Sequence, residues 1–234
     1  MQQQTQAAVV IVAAGSSRRM AGRDKLWTPL AGRIILARTI DVFVASPAIS
    51  RLVLVLNPER LEDARELCTR EGWPKIGGLV PGGTRRQDSV RSGLEKLAQI
   101  APETRWVMIH DGARPLVTPE ILQTGLQAVQ EHQAVVAAVP VKDTIKQAQD
   151  GVISGTLDRS QLWAVQTPQI FSFPLIRYAH TSWPVQTDVT DDAALLEHLG
   201  HRVAIFPGSY TNLKITTQED LLIAEALLKG SLCS

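Results

Sequence analysis

The residues best suited to chemistry stand where apolar runs stop. The run Ala7-Ala8-Val9-Val10-Ile11-Val12-Ala13 ends at Ala14-Gly15. A small, basic segment follows, from Ser16 through Arg18, Arg19 and Arg23 to Lys25. Small residues beside a glycine let a ligand lie against the backbone and leave N–H groups free to point at it. Four cations between positions 18 and 25 then point to a polyanion, most simply a nucleoside triphosphate. A second group is Pro81-Gly82-Gly83-Thr84 with Ser89, where paired glycines permit close approach of a flat base or ribose. The same glycines equally suit an ordinary strand-to-helix turn. A third is Asp111, straight after an apolar run, with Arg114 three residues on. An aspartate there suits Mg²⁺, a hard cation that takes oxygen ligands and shares substrate phosphates. The alternative is a turn or cap aspartate. His110 has no second histidine at ligand spacing and reads as structural. Thr144, Arg159, Thr167 and Lys214 are isolated polar residues. Lys214, between Leu213 and Ile215, either faces solvent at a strand edge or points into a site. Thr190-Asp191-Asp192 suits a helix cap.

These residues need a frame. The first run has no polar alternation, so both faces should be buried, as in a central parallel strand. Strands are expected at Arg51–Leu56, Ile76–Val80, Trp106–His110, Ala134–Val139 and Arg202–Phe206. Helical patterns lie between them at Arg33–Ala45, Glu59–Glu71, Thr84–Gln99 and from Thr118-Pro119 to His132. Strand, loop and helix alternate, which predicts an α/β fold with a mostly parallel sheet flanked by helices. Ligands bind such sheets beyond the strand ends, where the candidate residues stand. The rhythm breaks at Pro140. Thr144–Ala148 and Val152–Leu157 flank Asp150-Gly151, a strong hairpin signal. This predicts a β-arm at about 141–160. An isolated hairpin is marginal in water, so the arm wants a partner surface, most simply a second subunit, the alternative being that it folds back onto its own domain. Helices return at Leu175–His180 and Thr190–Leu199. The final helix starts at a capping box of Thr216 and Glu219 and runs to about Lys229.

Composition narrows the class. The 234 residues, 44% hydrophobic and 20% charged, suit one domain with a sizeable core, spanning 1–234 without repeat or linker. A net charge of +1 speaks against a nucleic-acid binder. Cys68 and Cys233 form no disulfide framework, and both are expected to be free thiols. The polar start lacks a basic n-region and no run is long enough to span a bilayer, so a cytoplasmic protein is expected. There is no G-x-G-x-x-G with an acidic ribose anchor, no GxxxxGK[ST] and no G-x-S-x-G. Nicotinamide chemistry, Walker-type nucleotide hydrolysis and α/β-hydrolase chemistry are disfavoured.

AAGSSRRM with Lys25, PGGTRRQDSV, HDGARP, KDTIK, LDRS, TPQ, VTDDA and NLKIT occur in this order over nearly the whole chain. Together they closely resemble the 2-C-methyl-D-erythritol 4-phosphate cytidylyltransferase family of sugar- and polyol-phosphate nucleotidyltransferases. The resemblance implies a Rossmann-like domain, a homodimer joined by the arm, CTP and methylerythritol phosphate as substrates, and Mg²⁺ or another divalent cation. By motif, Ala13, Ala14 and Gly15 would line the nucleotide, and Arg19 and Lys25 would grip its phosphates. Gly82, Gly83 and Ser89 would recognise cytosine, Gly112 would lie against the ribose, and Asp111 would hold the metal. Arg114, Thr167, Thr190 and Lys214 would contact methylerythritol phosphate, with Lys214 grouped with Arg19 and Lys25 as catalytic. Thr144 and Arg159 would reach in from the partner's arm. The chain departs from some relatives at Thr84, where they are acidic, at Asp24-Lys25-Leu26, where many read Pro-Lys-Gln, and at Gly112, where some carry alanine. The nearest rival is a cytidylyltransferase for another polyol phosphate such as ribitol 5-phosphate. Uridylyl- or guanylyltransferases and a non-catalytic nucleotide sensor are more distant.

Overall fold

A computed structural model describes residues 6–15, 24–183 and 188–231. The first apolar run forms β1 (Ala7–Ala13). Two-residue strands β2 (Pro29–Leu30) and β3 (Arg33–Ile34) pair around Ala31-Gly32, both at positive φ. That pairing takes up Arg33 and Ile34, so α1 begins later than the apolar pattern suggests, at Ile35, and runs to Ala45. β4 (Ile49–Leu56), α2 (Leu61–Glu71) and β5 (Ile76–Pro81) follow. α2 ends on Gly72 at φ 63, the left-handed cap that glycine adopts at little cost. Next come α3 (Arg86–Ile100), β6 (Trp106–Asp111), α4 (Pro119–His132) and β7 (Ala134–Pro140).

The Asp150-Gly151 hairpin is formed. β8 (Lys146–Gln149) pairs antiparallel with β9 (Val152–Thr156), and both turn residues have positive φ. These strands make their own two-stranded sheet, separate from the central one. Then come β10 (Trp163–Ser172), α5 (Phe173–Ser182), α6 (Asp192–His198), β11 (Ala204–Pro207) and α7 (Gln218–Ser231).

The central sheet has seven strands in the order β11-β7-β10-β6-β1-β4-β5. All neighbours are parallel except those of β10, which runs antiparallel between β6 and β7. This ten-residue strand is absent from the sequence expectation. Its middle, Gln166-Thr167-Pro168-Gln169, is polar and holds a proline, which removes a ladder donor. Pairing with β7 shifts register between Val165 and Gln169, so the strand accommodates the proline as an irregularity. The glutamines are buried but bonded: Gln166 Nε2 donates to Ser209 O at 2.8 Å and Gln169 Nε2 to Asp191 Oδ2 at 2.7 Å.

β1 lies between β6 and β4 and splits its side chains between two cores. Ala7, Val9 and Ile11 pack on the face covered by α1 and α4, with Ile40, Phe43 and Leu126. Ala8 and Val10 pack on the opposite face, with Leu94 of α3 and Ile176 of α5. Each fully buried aliphatic chain of this kind stabilises the fold by about 1.5–3 kcal/mol. The α7 cap lies one residue beyond the expected box. Asp220 Oδ2 accepts from Thr217 N at 2.9 Å while Thr217 Oγ1 accepts from Asp220 N at 3.3 Å. The carboxylate also accepts from Thr216 N, so Asp220 rather than Glu219 closes the box.

Candidate active site

The carboxyl ends of β1, β4, β5 and β6 open onto a cavity of about 430 Å³. Ala13, Ala14 and Gly15 form one wall, Gly82, Gly83 and Ser89 another, and Lys25 and Lys214 supply charge. The two glycine-containing segments touch: a Cβ on Gly82 would lie 2.2 Å from Ala14 Cβ. Glycine is therefore required for this approach. Ser89 Oγ accepts from Gly83 N and donates to Arg85 O, each at 3.1 Å. Its hydroxyl shapes the glycine turn here. Arg19, with the whole of 16–23, lies outside the described residues. Gly112 lines neither cavity, although its neighbours Asp111 and Ala113 line the first. Its N–H donates to Val12 O and its carbonyl accepts from Thr39 Oγ1, both at 2.9 Å, so both backbone groups face inward.

A second cavity of about 400 Å³ adjoins the first, between β10 and the Thr190-Asp191 segment. Arg114, Thr167, Thr190 and Lys214 line it, which brings together four dispersed candidates. Thr144 and Arg159 line neither cavity. They are exposed around the arm, where Arg159 Nη1 donates to Lys142 O at 2.6 Å.

Asp111 stands at the junction, only 8% exposed. Lys214 Nζ lies 2.9 Å from Oδ2, Arg86 Nε 3.5 Å from Oδ1 and Arg114 Nε 3.8 Å from Oδ2. Burial pushes the carboxyl up, but Arg86, Lys214 and Arg114 together outweigh it and hold it well below the usual carboxylate range. The ambiguous Lys214 thus points into the site.

His110 is structural. Burial drives its imidazole down to about 4, so it is neutral at pH 7. Nε2 meets Arg114 O, which can only accept, so Nε2 carries the proton and Nδ1 accepts from Thr167 Oγ1 at 3.1 Å. Thr167 Oγ1 in turn accepts from Asp111 N at 3.0 Å. The threonine proton is thereby committed to His110, and the hydroxyl fixes the backbone that carries Asp111. Asn212, fully buried, donates Nδ2 to Gln166 Oε1 and Thr167 O, while its backbone carbonyl accepts from Arg114 Nη1 at 2.7 Å.

The metal expectation can be tested against these donors. Among the described residues no group of three or more histidine, cysteine or acidic side chains is placed to hold a metal. Among the described residues, Asp111 is the single carboxylate lining the larger cavity. It suits a Mg²⁺ ion that takes one protein oxygen and completes its shell with phosphates and water.

Sequence reasoning missed Arg86 and Asp192. Arg86 Nη1 donates to Asp192 Oδ2 at 2.7 Å, and Asp192 is 1% exposed. Arg86 lies within the PGGTRRQDSV stretch, at the first residue of α3, and that position beyond a glycine pair is a usable signal. Asp192 lies in the VTDDA stretch, but the capping carboxylate there is Asp191, and nothing local reveals the pairing of Asp192 with an arginine so distant in the chain.

A cavity of about 430 Å³ at the strand ends, joined to a second cationic cavity across one carboxylate, suits an α/β protein of the nucleotidyl-transfer class. The profile of the 2-C-methyl-D-erythritol 4-phosphate cytidylyltransferase family matches residues 7–230. A protein of that name from Dehalococcoides mccartyi is 47% identical over 221 residues, covering 94% of this chain and 95% of its own. Another from Syntrophotalea carbinolica is 48% identical over 227 residues, covering 94% and 95%. A crystal structure of 4-diphosphocytidyl-2C-methyl-D-erythritol synthase from Anaerococcus prevotii superposes with TM-score 0.84 at 30% identity, covering 97% of each chain. The chain belongs to the 2-C-methyl-D-erythritol 4-phosphate cytidylyltransferase family.

Proposed function

We propose that this protein transfers CMP from CTP to 2-C-methyl-D-erythritol 4-phosphate, giving 4-diphosphocytidyl-2-C-methyl-D-erythritol and pyrophosphate. The observation that supports the reading is the pair of adjoining cavities, which leaves room for an acceptor phosphate beside a nucleotide. An acceptor phosphate oxygen attacks the α-phosphorus, and the bond from that phosphorus to the α–β bridging oxygen breaks. Pyrophosphate leaves with that oxygen and its electron pair. A phosphate monoester is already anionic near pH 7, so no general base is needed. Catalysis is positioning and charge neutralisation. Ala13, Ala14, Gly15, Gly82 and Gly83 seat the nucleotide. Lys25 neutralises the triphosphate, and Arg114 and Lys214 hold the acceptor phosphate. Mg²⁺, held by Asp111 together with the phosphates, would supply further charge stabilisation.

The arm supports a homodimer. Val152 and Ile153 are 71% and 61% exposed, an apolar surface on a hairpin too small to stand alone. Thr144 and Arg159 would then serve the partner's acceptor cavity. Among the described residues no helix is long and apolar enough to cross a membrane, which accords with work in the cytoplasm.

The test is pyrophosphate release with CTP and methylerythritol phosphate, run beside UTP, GTP and ribitol 5-phosphate. Turnover should require CTP and favour methylerythritol phosphate. Lys25→Ala should lower it by ~10²–10³. Near-normal turnover by Lys25→Ala, or equal use of ribitol 5-phosphate, would overturn the assignment.

A further inference from the structure

The two cavities have three wall residues in common: Arg86, Asp111 and Lys214. A residue on both walls stands where the nucleotide meets its acceptor. Asp111 and Lys214 have roles in the reaction as read above. Arg86 has none.

The geometry holds Arg86 firmly at this junction. Nη1 donates to Asp192 Oδ2 at 2.7 Å, and Nε lies 3.5 Å from Asp111 Oδ1. Nη2 makes no hydrogen bond among the described residues and is not a buried unpaired atom. It is therefore open to a ligand. Asp192 touches neither cavity and is fixed from two further sides. His180 Nε2 lies 3.1 Å from its Oδ1, and its backbone N–H donates to Gln169 Oε1 at 3.2 Å. A buried carboxylate is costly unless it is paired and hydrogen-bonded. Here the pairing sets the plane of one guanidinium, and His180-Asp192-Arg86 runs as a brace from α5 and α6 to the reacting centre.

We propose that Arg86 is a catalytic residue that contacts the phosphates at the bond-forming centre, and that Asp192 is its positioning residue. The inference rests on the nucleotidyl-transfer reading. Joining two anions requires cationic charge where they meet, and a planar guanidinium can bridge oxygens of both. Arg86 gives and takes no proton. It neutralises charge as the new oxygen–phosphorus bond forms and the bond to pyrophosphate breaks.

The full-length chain and its Arg86→Ala, Arg86→Lys and Asp192→Asn variants should be compared by steady-state pyrophosphate release and by urea unfolding. Arg86→Ala should lose ~10² or more in kcat, with KM for CTP changed less than about threefold. Arg86→Lys keeps the charge without the planar fork and should fall between the alanine variant and the wild type. Asp192→Asn should lose roughly 10-fold in kcat. Guanidinium at sub-denaturing concentration should restore part of the Arg86→Ala turnover and none of the Asp192→Asn turnover. A purely structural role would lower the unfolding midpoint along with turnover and would not respond to guanidinium. Full activity in Arg86→Ala or Arg86→Lys, or a loss that tracks unfolding without rescue, overturns the inference. A wild-type chain with no turnover overturns the nucleotidyl-transfer reading itself and this step with it.

Discussion

Replacing Asp111 by asparagine keeps the side chain's shape and removes one charge from a crowded site. The carboxylate faces Lys214 at 2.9 Å, Arg86 at 3.5 Å and Arg114 at 3.8 Å. At 2.9 Å and an effective dielectric near 20, one unit pair attracts by roughly 6 kcal/mol before desolvation. The Lys214 side chain is 40% exposed, so water returns much of that when the carboxylate goes. Arg86 and Arg114, at 25% and 11%, cannot rehydrate without moving. Breaking a buried pair by removing one partner costs about 3–5 kcal/mol. Lys214's exposure and Asp192's hold on Arg86 place Asp111→Asn at the lower end, ~3 kcal/mol. Urea unfolding of the ligand-free protein at pH 7 measures it. The pH dependence supplies a control. Asp111's folded pKa is depressed, so its contribution is full above the unfolded value of about 3.9 and is lost as pH falls below that. The gap between wild type and variant should therefore narrow on acidification below about pH 4. A gap under about 1 kcal/mol at pH 7, or one that persists in acid, would refute the electrostatic account.

His110→Gln tests the neutral histidine. Its folded pKa of about 4 lies below the unfolded value, so the unfolded chain alone gains a proton as pH falls from about 6.5 to 4. Wild type should lose about 3 kcal/mol across that window, and a slope that survives the substitution would refute the assignment. Gly82→Ala would set a Cβ 2.2 Å from Ala14 Cβ and 2.8 Å from Ser89 Oγ, which forces the nucleotide wall apart. Calorimetry should show roughly 10-fold weaker CTP binding, consistent with an overpacking cost of 1–3 kcal/mol. An unchanged Kd would mean that the wall yields freely. Ile153→Asp charges an exposed arm residue and should convert the proposed dimer to monomer in sedimentation experiments. An unaltered dimer, or a monomeric wild type, would remove the arm from assembly.

Much of the frame was legible because its signals are local. The unbroken apolar run at Ala7–Ala13 declares a strand buried on both faces, and β1 has a strand on either side. Asp150-Gly151 declares a tight hairpin through the positive φ that both residues adopt. β10 was hidden because Pro168 and two glutamines interrupt its pattern. Those glutamines are tolerated in the interior only because Ser209, Asn212 and Asp191 bond to them. The capping residue of α7 fell one position off for a similar reason. Thr216 and Thr217 both offer a cap, and the reach of Asp220 selects between them.

The site divides in the same way. The residue types and their places at strand ends were set by the chain itself: Ala13-Ala14-Gly15, Gly82-Gly83, Asp111 and the family to which their motifs belong. The direction of Lys214 was not, since a lysine between Leu213 and Ile215 has two environments open to it until Asp111 is brought to 2.9 Å. Nor was the inward commitment of Gly112, the lock between Thr167 and His110, or the brace from His180 to Arg86. Each depends on a partner distant in the chain. Periodicity and turn chemistry act over a few residues, so the elements and the edge where ligands bind can be read from the chain. Charge pairing and burial act through space, so which side chains face the reaction, and which hold them there, follows only from the folded arrangement.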